Sequence, residues 1–383
     1  MMDKGYPELR RYCAFLVAAL SSIAMALPVQ GAAVSSPFAY AVPRQGATSA
    51  ESRRCPPMVT PMVDMAHIGT FYKATATQSV IDRTAMRAYV QRVASSDRMA
   101  KEVLQRHRAL IDGTGDRVHV AACLQKEIAS WARAGALLGN LDQNDATGHR
   151  QAVLILIWTG IATASAYSAA SAYTVAQPDD DAAVRAWLTR ASDTIRQEFT
   201  PRADRPAKER WLDMTANHSH FAGAAVGIIA GVTQDRTALD WMRRELGRAL
   251  AVAQTDGALP AEMRRGGRSL HYQSFALLAI SLMVSVADAN GLALDPDEER
   301  RLSTIADFTL RAYQEPSLIG QRVGAPQEKA RTQAAWMAVL APHFNRSDPA
   351  LRLRLARQTD DVGPVDVPLV GLPASASERL QRR

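Results

Sequence analysis

The chain has 383 residues, 45 Lys and Arg against 38 Asp and Glu for a formal charge of +7, 47% apolar residues and three Cys. This composition excludes a disordered chain, a collagen and a disulfide-stapled miniprotein, and it leaves length for a full core in one large or two ordinary domains. Six of the basic residues are Lys and the other 39 are Arg. The Arg bias has a bland origin in codon composition, and it also suits an acidic partner, since the planar guanidinium matches a carboxylate bidentately.

Residues 1–31 read as a secretory signal peptide. Lys4, Arg10 and Arg11 precede an uncharged apolar run from Cys13 to Leu27, and small residues follow at Gly31, Ala32 and Ala33. The run falls short of the roughly 20 residues that a membrane-spanning helix needs. A periplasmic protein is therefore expected, with no membrane span in the mature chain and no nucleic acid as partner. Loss of the leader removes Cys13 and leaves Cys55 and Cys123 in an oxidising compartment, as one disulfide or as two buried thiols. A disulfide would close a loop of 123 − 55 = 68 residues, worth about 4 kcal/mol on the chain-entropy account.

Residues 32–60, rich in Pro, Ser, Ala and Gly, form an extended N-terminal arm. Helical periodicity dominates from there, with a single domain over 61–358. Asp82 caps a helix running through Met86, Tyr89, Val90, Val93 and Val103, and a second helix spans about Val120 to Leu138. The uncharged stretch from Ala152 to Ala176 is an inner helix of a large helical protein, interrupted as it is by Thr159, Thr163, Ser165, Ser168 and Ser171.

Asp181 begins another helix through Ile195, and a loop bracketed by Pro201 and Pro206 ends near Trp211. Further helices span about Asn217 to Gly231, Arg236 to Ala253, Leu270 to Ala289, Pro296 to Tyr313 and Lys329 to Leu340. Residues 359–383, broken by Gly and Pro, read as an irregular tail. No stretch alternates with period two, so the fold is all-α, built of antiparallel helical hairpins.

Chemistry concentrates in two segments. Ala216-Asn217-His218-Ser219-His220-Phe221 opens one Ala- and Gly-rich helix. Asp256-Gly257-Ala258-Leu259-Pro260, Glu262, Arg264-Arg265-Gly266-Gly267-Arg268 and Leu270-His271-Tyr272 lead into another. Both place polar groups at a helix start, where free N–H groups and the helix dipole favour an anion such as a substrate carboxylate. Each residue alone has an ordinary structural reading as cap, solvated charge or core aromatic. Together Asn, His, Arg and Tyr are the set that β-elimination from a uronic acid requires. Amide, imidazole and guanidinium neutralise the carboxylate so that C5–H becomes acidic, and a phenol moves the proton.

With these motifs the chain resembles the mannuronate-specific alginate lyases of polysaccharide lyase family five. The likeness runs from Arg54-Cys55-Pro56-Pro57 through Ala122-Cys123 and Ser130-Trp131-Ala132-Arg133-Ala134-Gly135-Ala136 to both segments above, over residues 53–345. It implies an incomplete α/α toroid with a deep cleft, a periplasmic enzyme acting on an anionic polysaccharide, alginate or another polyuronate, and no metal or other cofactor. Carried over residue by residue, Tyr272 is the acid/base, and Asn217, His218 and Arg265 neutralise the carboxylate, with His218 a second candidate base. Arg264, Arg268, Trp131 and Phe221 are the expected sugar contacts, and Lys73 in Phe71-Tyr72-Lys73 is the nearest candidate for the family's lid lysine.

The chain departs from the family pattern at three places. Ala216 stands for the first Asn of the Asn-Asn-His motif, His220-Phe221 for Tyr-Trp, and Gln273-Ser274-Phe275 for His-Asn-Tyr. These changes predict altered subsites, and they motivate two further readings: a lyase for a different polyuronate, or a non-catalytic polyuronate-binding protein on the same fold.

Overall fold

The computed structural model describes residues 33–38, 54–73, 80–200, 216–329, 331–362 and 370. The leader with Cys13, the loop holding Pro201, Pro206 and Trp211, and most of the tail lie outside the described residues. The compact unit runs from Val34 onward. The described residues contain no β-strand, only two isolated bridges, Asp64 with Gly139 and Tyr72 with Ile81.

Three helices form the inner layer: α4 (Ala146–Ala170), α6 (Asn217–Thr233) and α8 (Ser269–Ala289). Each is apolar on nearly every side, so each is stable only when neighbours surround it. α6 is the hub. It packs against α4, α8, α5 (Pro178–Phe199) and α7 (Arg236–Ala251). Close approach of α6 and α8 depends on Gly223, where a Cβ would lie 2.4 Å from Met283 Sδ. α4 and α8 are long and apolar enough to cross a membrane, but both are core helices, 94% and 83% buried in their most apolar windows.

The outer helices α5, α7 and α9 (Pro296–Gln314) each bury one stripe and expose the other. Their starts follow capping chemistry. Asp295 makes a capping box with Glu298 ahead of Pro296, and Asp235 accepts from the Ala238 N–H.

Several boundaries differ from the sequence expectation. The helix expected after Asp82 is two, α1 (Arg83–Arg92) and α2 (Ala94–Asp112), broken at Val93. α3 (Arg117–Arg133) stops short of Leu138 because Gly135 and Leu137 take positive φ. A further helix, Pro349–Val362, carries regular structure past 359, so the irregular tail begins later than its composition suggests. Buried Leu351 and Leu355 anchor it.

The arm is laced to α3. Cys55 and Cys123 are bonded, with S–S 2.07 Å. The Trp131 indole N–H donates to Val59 O at 2.9 Å, and the Val59 N–H donates to Glu127 Oε1 at 3.2 Å. Trp131 is 0% exposed. It is therefore no sugar platform; its ring fills the core and its N–H ties down the arm. Past the arm, Asn144 and the Ala136–Gly139 turn hold residues 62–68, which delivers the chain to Phe71–Lys73, paired antiparallel with Val80–Asp82.

Candidate active site

Asn217 opens α6 without a side-chain cap from Ala216. The missing cap comes from elsewhere in the chain. The Glu262 carboxylate, on the helical turn Pro260–Met263, accepts the Asn217 backbone N–H at 2.7 Å. The Asn217 amide nitrogen also donates to it, 3.1 Å from Oε1 and 3.0 Å from Oε2. α8 is served similarly, its Leu270 N–H donating to Gln327 Oε1 at 2.9 Å. Both helix starts are thus occupied by the protein's own groups, which corrects the expectation that free N–H groups there receive a substrate carboxylate. Side chains must do that work.

The turn carrying Glu262 and Arg265 is held rigidly. Gln273 accepts from the Leu259 N–H at 3.0 Å and donates to Gly257 O at 3.2 Å and to Thr309 Oγ1 at 3.0 Å. Gly257 has φ +95°, and a Cβ there would sit 2.3 Å from Thr304 O, so only glycine fits. Gln273 and Ser274 are buried. The change from the family's pattern at Gln273 therefore affects a brace and not a sugar contact.

Tyr272 follows on the first turn of α8. Its hydroxyl lies 2.8 Å from that of Tyr72, which is held by the pairing of Phe71–Lys73 with Val80–Asp82. The Arg265 guanidinium sits 3.8 Å from the Tyr272 ring centroid and that of Arg268 at 5.2 Å. Arg268 Nη1 also reaches the Tyr72 hydroxyl at 3.5 Å. Burial pushes Tyr272 up to about 12, against the pull of Arg265 and Arg268.

His218 is pushed down to about 3 by burial and by the charges of Arg150 and Arg265. His271 falls to about 4 by burial with Arg268 and Arg265. Arg265 acts on His218, Glu262, His271 and Tyr272 alike, so the two sequence segments converge around one guanidinium. The result is a cluster of neutral imidazoles and a neutral phenol ringed by guanidinium groups, which favours a carboxylate. Among the described residues no group of three or more His, Cys, Asp or Glu is placed to hold a metal ion.

The structure thus brings together Asn217, His218, Arg265, Arg268 and Tyr272. Phe221 is 0% exposed and packs on Phe275 at 4.3 Å between centroids. It and the buried His220 are core residues, so the departure there repacks an interior. Arg264 is exposed, and the guanidinium groups over Tyr272 belong to its neighbours. Lys73 is exposed and its charge acts on Asp82. On an extended segment adjacent side chains point to opposite sides, so Tyr72, not Lys73, faces the site. Sequence reasoning missed Tyr72 and Arg150. The first lies within the quoted lid motif, and the second sits on the first turns of α4, just before its uncharged stretch.

A family model for alginate lyases matches residues 70–319. The chain belongs to the alginate lyase family. It is thereby a polysaccharide lyase. It is 26% identical over 365 residues to an alginate lyase of Pseudomonas syringae pv. syringae (strain B728a), covering 92% of this chain and 91% of that protein. Against an alginate lyase of Azotobacter vinelandii the identity is 25%, with 86% and 87% covered.

Among solved structures, alginate lyase A1-III from Sphingomonas species A1 superposes with a TM-score of 0.65 at 22% identity, covering 91% of this chain and 98% of that one. A variant of A1-III complexed with a tetrasaccharide gives 0.68 at 20% identity, with 91% and 97% covered. The fold is accordingly the α/α toroid, as the resemblance implied.

Proposed function

We propose that this chain, exported to the periplasm, cuts the poly-β-D-mannuronate of alginate by β-elimination and leaves an unsaturated uronate at the new non-reducing end. The observation that carries the reading is the Tyr272 phenol, hydrogen-bonded to Tyr72 and lying under Arg265 beside Asn217 and His218. Family membership and the oligosaccharide bound by the A1-III variant support alginate as substrate.

In this reading Arg265, the Asn217 amide and neutral His218 surround the uronate carboxylate. Neutralising that charge makes C5–H acidic enough for Tyr272, acting as the phenolate after its own proton is lost to solvent beside the Arg265 and Arg268 guanidinium groups, to take the C5 proton and become the phenol. The freed electron pair forms the C4–C5 double bond as the C4–O4 bond breaks. The same phenol then protonates the departing oxygen, so one residue serves both ends of the elimination.

The test is incubation with polymannuronate and with polyguluronate, following the ultraviolet absorbance of the conjugated product. Absorbance should rise faster with polymannuronate. No rise with any polyuronate removes the lyase reading, and faster turnover of polyguluronate removes the mannuronate preference. Export is tested by sequencing the N-terminus of the chain recovered from a bacterial periplasm, which should result from cleavage between Ala26 and Ala33.

A further inference from the structure

Glu262 is only 1% exposed, yet it sits where the proposed chemistry requires a second carboxylate to arrive. Its oxygens accept from the Asn217 backbone N–H at 2.7 Å and from the Asn217 amide nitrogen at 3.0 and 3.1 Å. The other end of that amide, Oδ1, is buried without a hydrogen-bond partner. The amide is turned with its donor toward the protein's own carboxylate and its acceptor unmatched. That is the reverse of what a uronate carboxylate needs from Asn217.

The groups around Glu262 cannot compensate a second negative charge. Arg265, three residues along the same turn, is the cation whose field reaches it. From α6, His218 is held neutral, and from α8 so are His271 and Tyr272. Arg150 and Arg268 act on His218, His271 and Tyr272, so among the described residues Arg265 is left to offset the Glu262 charge as a second carboxylate arrives, and burial then disfavours both staying ionised.

We infer that Glu262 takes up a proton from solvent as the substrate carboxylate enters, and that protonated Glu262 turns the Asn217 amide so that its N–H groups face the substrate. The inference rests on the lyase reading above. The hydrogen bonds balance. One Glu262 oxygen keeps the Asn217 backbone N–H. The protonated oxygen donates to Asn217 Oδ1, matching the orphan acceptor, and Nδ2 is released to the uronate. The proton returns to solvent when product leaves, and no bond of the polymer is involved. Glu262 is therefore a positioning residue acting through Asn217. Burial already pushes its carboxyl up to about 7, against the Asn217 hydrogen bonds and Arg265, so the proton is within reach near neutral pH before substrate adds its charge.

The test uses the full chain carrying Tyr272→Phe, which should bind without turnover, titrated with tetramannuronate in a calorimeter in two buffers of different ionisation enthalpy. Near pH 8 roughly one proton should be taken up per oligomer bound, and near pH 5.5 almost none, because Glu262 then holds its proton beforehand. Adding Glu262→Gln should abolish the uptake and keep binding, since Gln offers a carbonyl to the Asn217 N–H and an N–H to Oδ1 as the protonated acid would.

With Tyr272 intact, wild-type kcat/KM should fall by up to about tenfold per pH unit on the alkaline side, and Glu262→Gln should flatten that limb. A merely structural carboxylate would not give this flattening. Uptake unchanged in Glu262→Gln, uptake persisting near pH 5.5, or binding without uptake near pH 8 overturns the inference alone. Should Glu262→Gln not fold, the pH dependence of uptake in the Glu262-bearing chain decides by itself. Failure of the oligomer to bind, with no cleavage by the Tyr272 chain, fells the lyase reading and this inference with it.

Discussion

At the starts of α6 and α8, burial governs the ionisable groups: His218 and His271 are driven neutral, and Glu262 and Tyr272 are held toward their protonated forms. At His343 the outcome is opposite. Burial alone would lower this imidazole, but hydrogen bonds from Nδ1 to Asp288 at 3.0 Å and from Nε2 to Glu299 at 3.1 Å outweigh it and raise its pKa. Both clusters contain imidazole and carboxylate. They differ in whether countercharge arrives with the fold or is left to be supplied by a ligand. A cluster completed by its own chain stabilises structure, whereas one ringed by guanidinium groups is suited to an anionic ligand.

Breaking that contrast is simplest at Tyr272. Tyr272→Phe keeps the ring under Arg265 and removes the proton carrier, so kcat on polymannuronate should drop by about 10³-fold or more while the denaturant midpoint hardly moves. An unfolded or fully active Tyr272→Phe chain would place the proton transfer elsewhere. Asn217→Ala removes an amide donor for the carboxylate and should cost on the order of 100-fold in kcat. It also leaves the Glu262 oxygens with the backbone N–H alone, so a modest loss of stability should accompany it in chemical denaturation.

Tyr72→Phe deletes the hydroxyl 2.8 Å from Tyr272. About a tenfold fall in kcat/KM is expected, the size of one hydrogen bond near 1.4 kcal/mol, read from initial rates on the same polymer.

The smallest effect belongs to His343 and concerns stability. Its raised pKa means that the doubly paired imidazolium stabilises the fold fully below the unfolded value, about 6.5, and that this contribution is lost as pH rises through the folded value. His343→Gln should therefore lower the melting temperature at acidic pH, with the difference from wild type shrinking toward alkaline pH and lyase rates unchanged. A His343→Gln chain with wild-type stability at all pH values, or with impaired turnover, would dissolve the distinction between the two clusters.

Much of this architecture was legible in the residues. An apolar run free of charge marked α4 as an inner helix because a helix with no polar face has nowhere else to go, and Asp82 marked a helix start through local capping. The two chemical segments were legible as well, down to Asn217, His218, Arg265 and Tyr272, because residue type and order carry the chemistry.

Burial was not legible. Trp131 and Phe221 look like sugar platforms in one dimension and prove to be core, since an aromatic ring reads the same whether it faces a cleft or a neighbouring helix. Lys73 drew attention as the nearest candidate for the family's lid lysine, while the uncharged residue beside it, Tyr72, reached the site because an extended backbone alternates its sides.

By itself the order of amino acids determined most of the helices and the kinds of group available for elimination, which follow from local propensity, periodicity and composition, whereas the bonding of Cys55 to Cys123 was left open until the fold brought them together. Only the folded chain decided that Glu262 would cap α6 from 45 residues away, that Tyr72 would meet Tyr272 across 200 residues, and that one guanidinium would tune four ionisable neighbours. Those are matters of distance and dielectric, and both are set by which surfaces pack together.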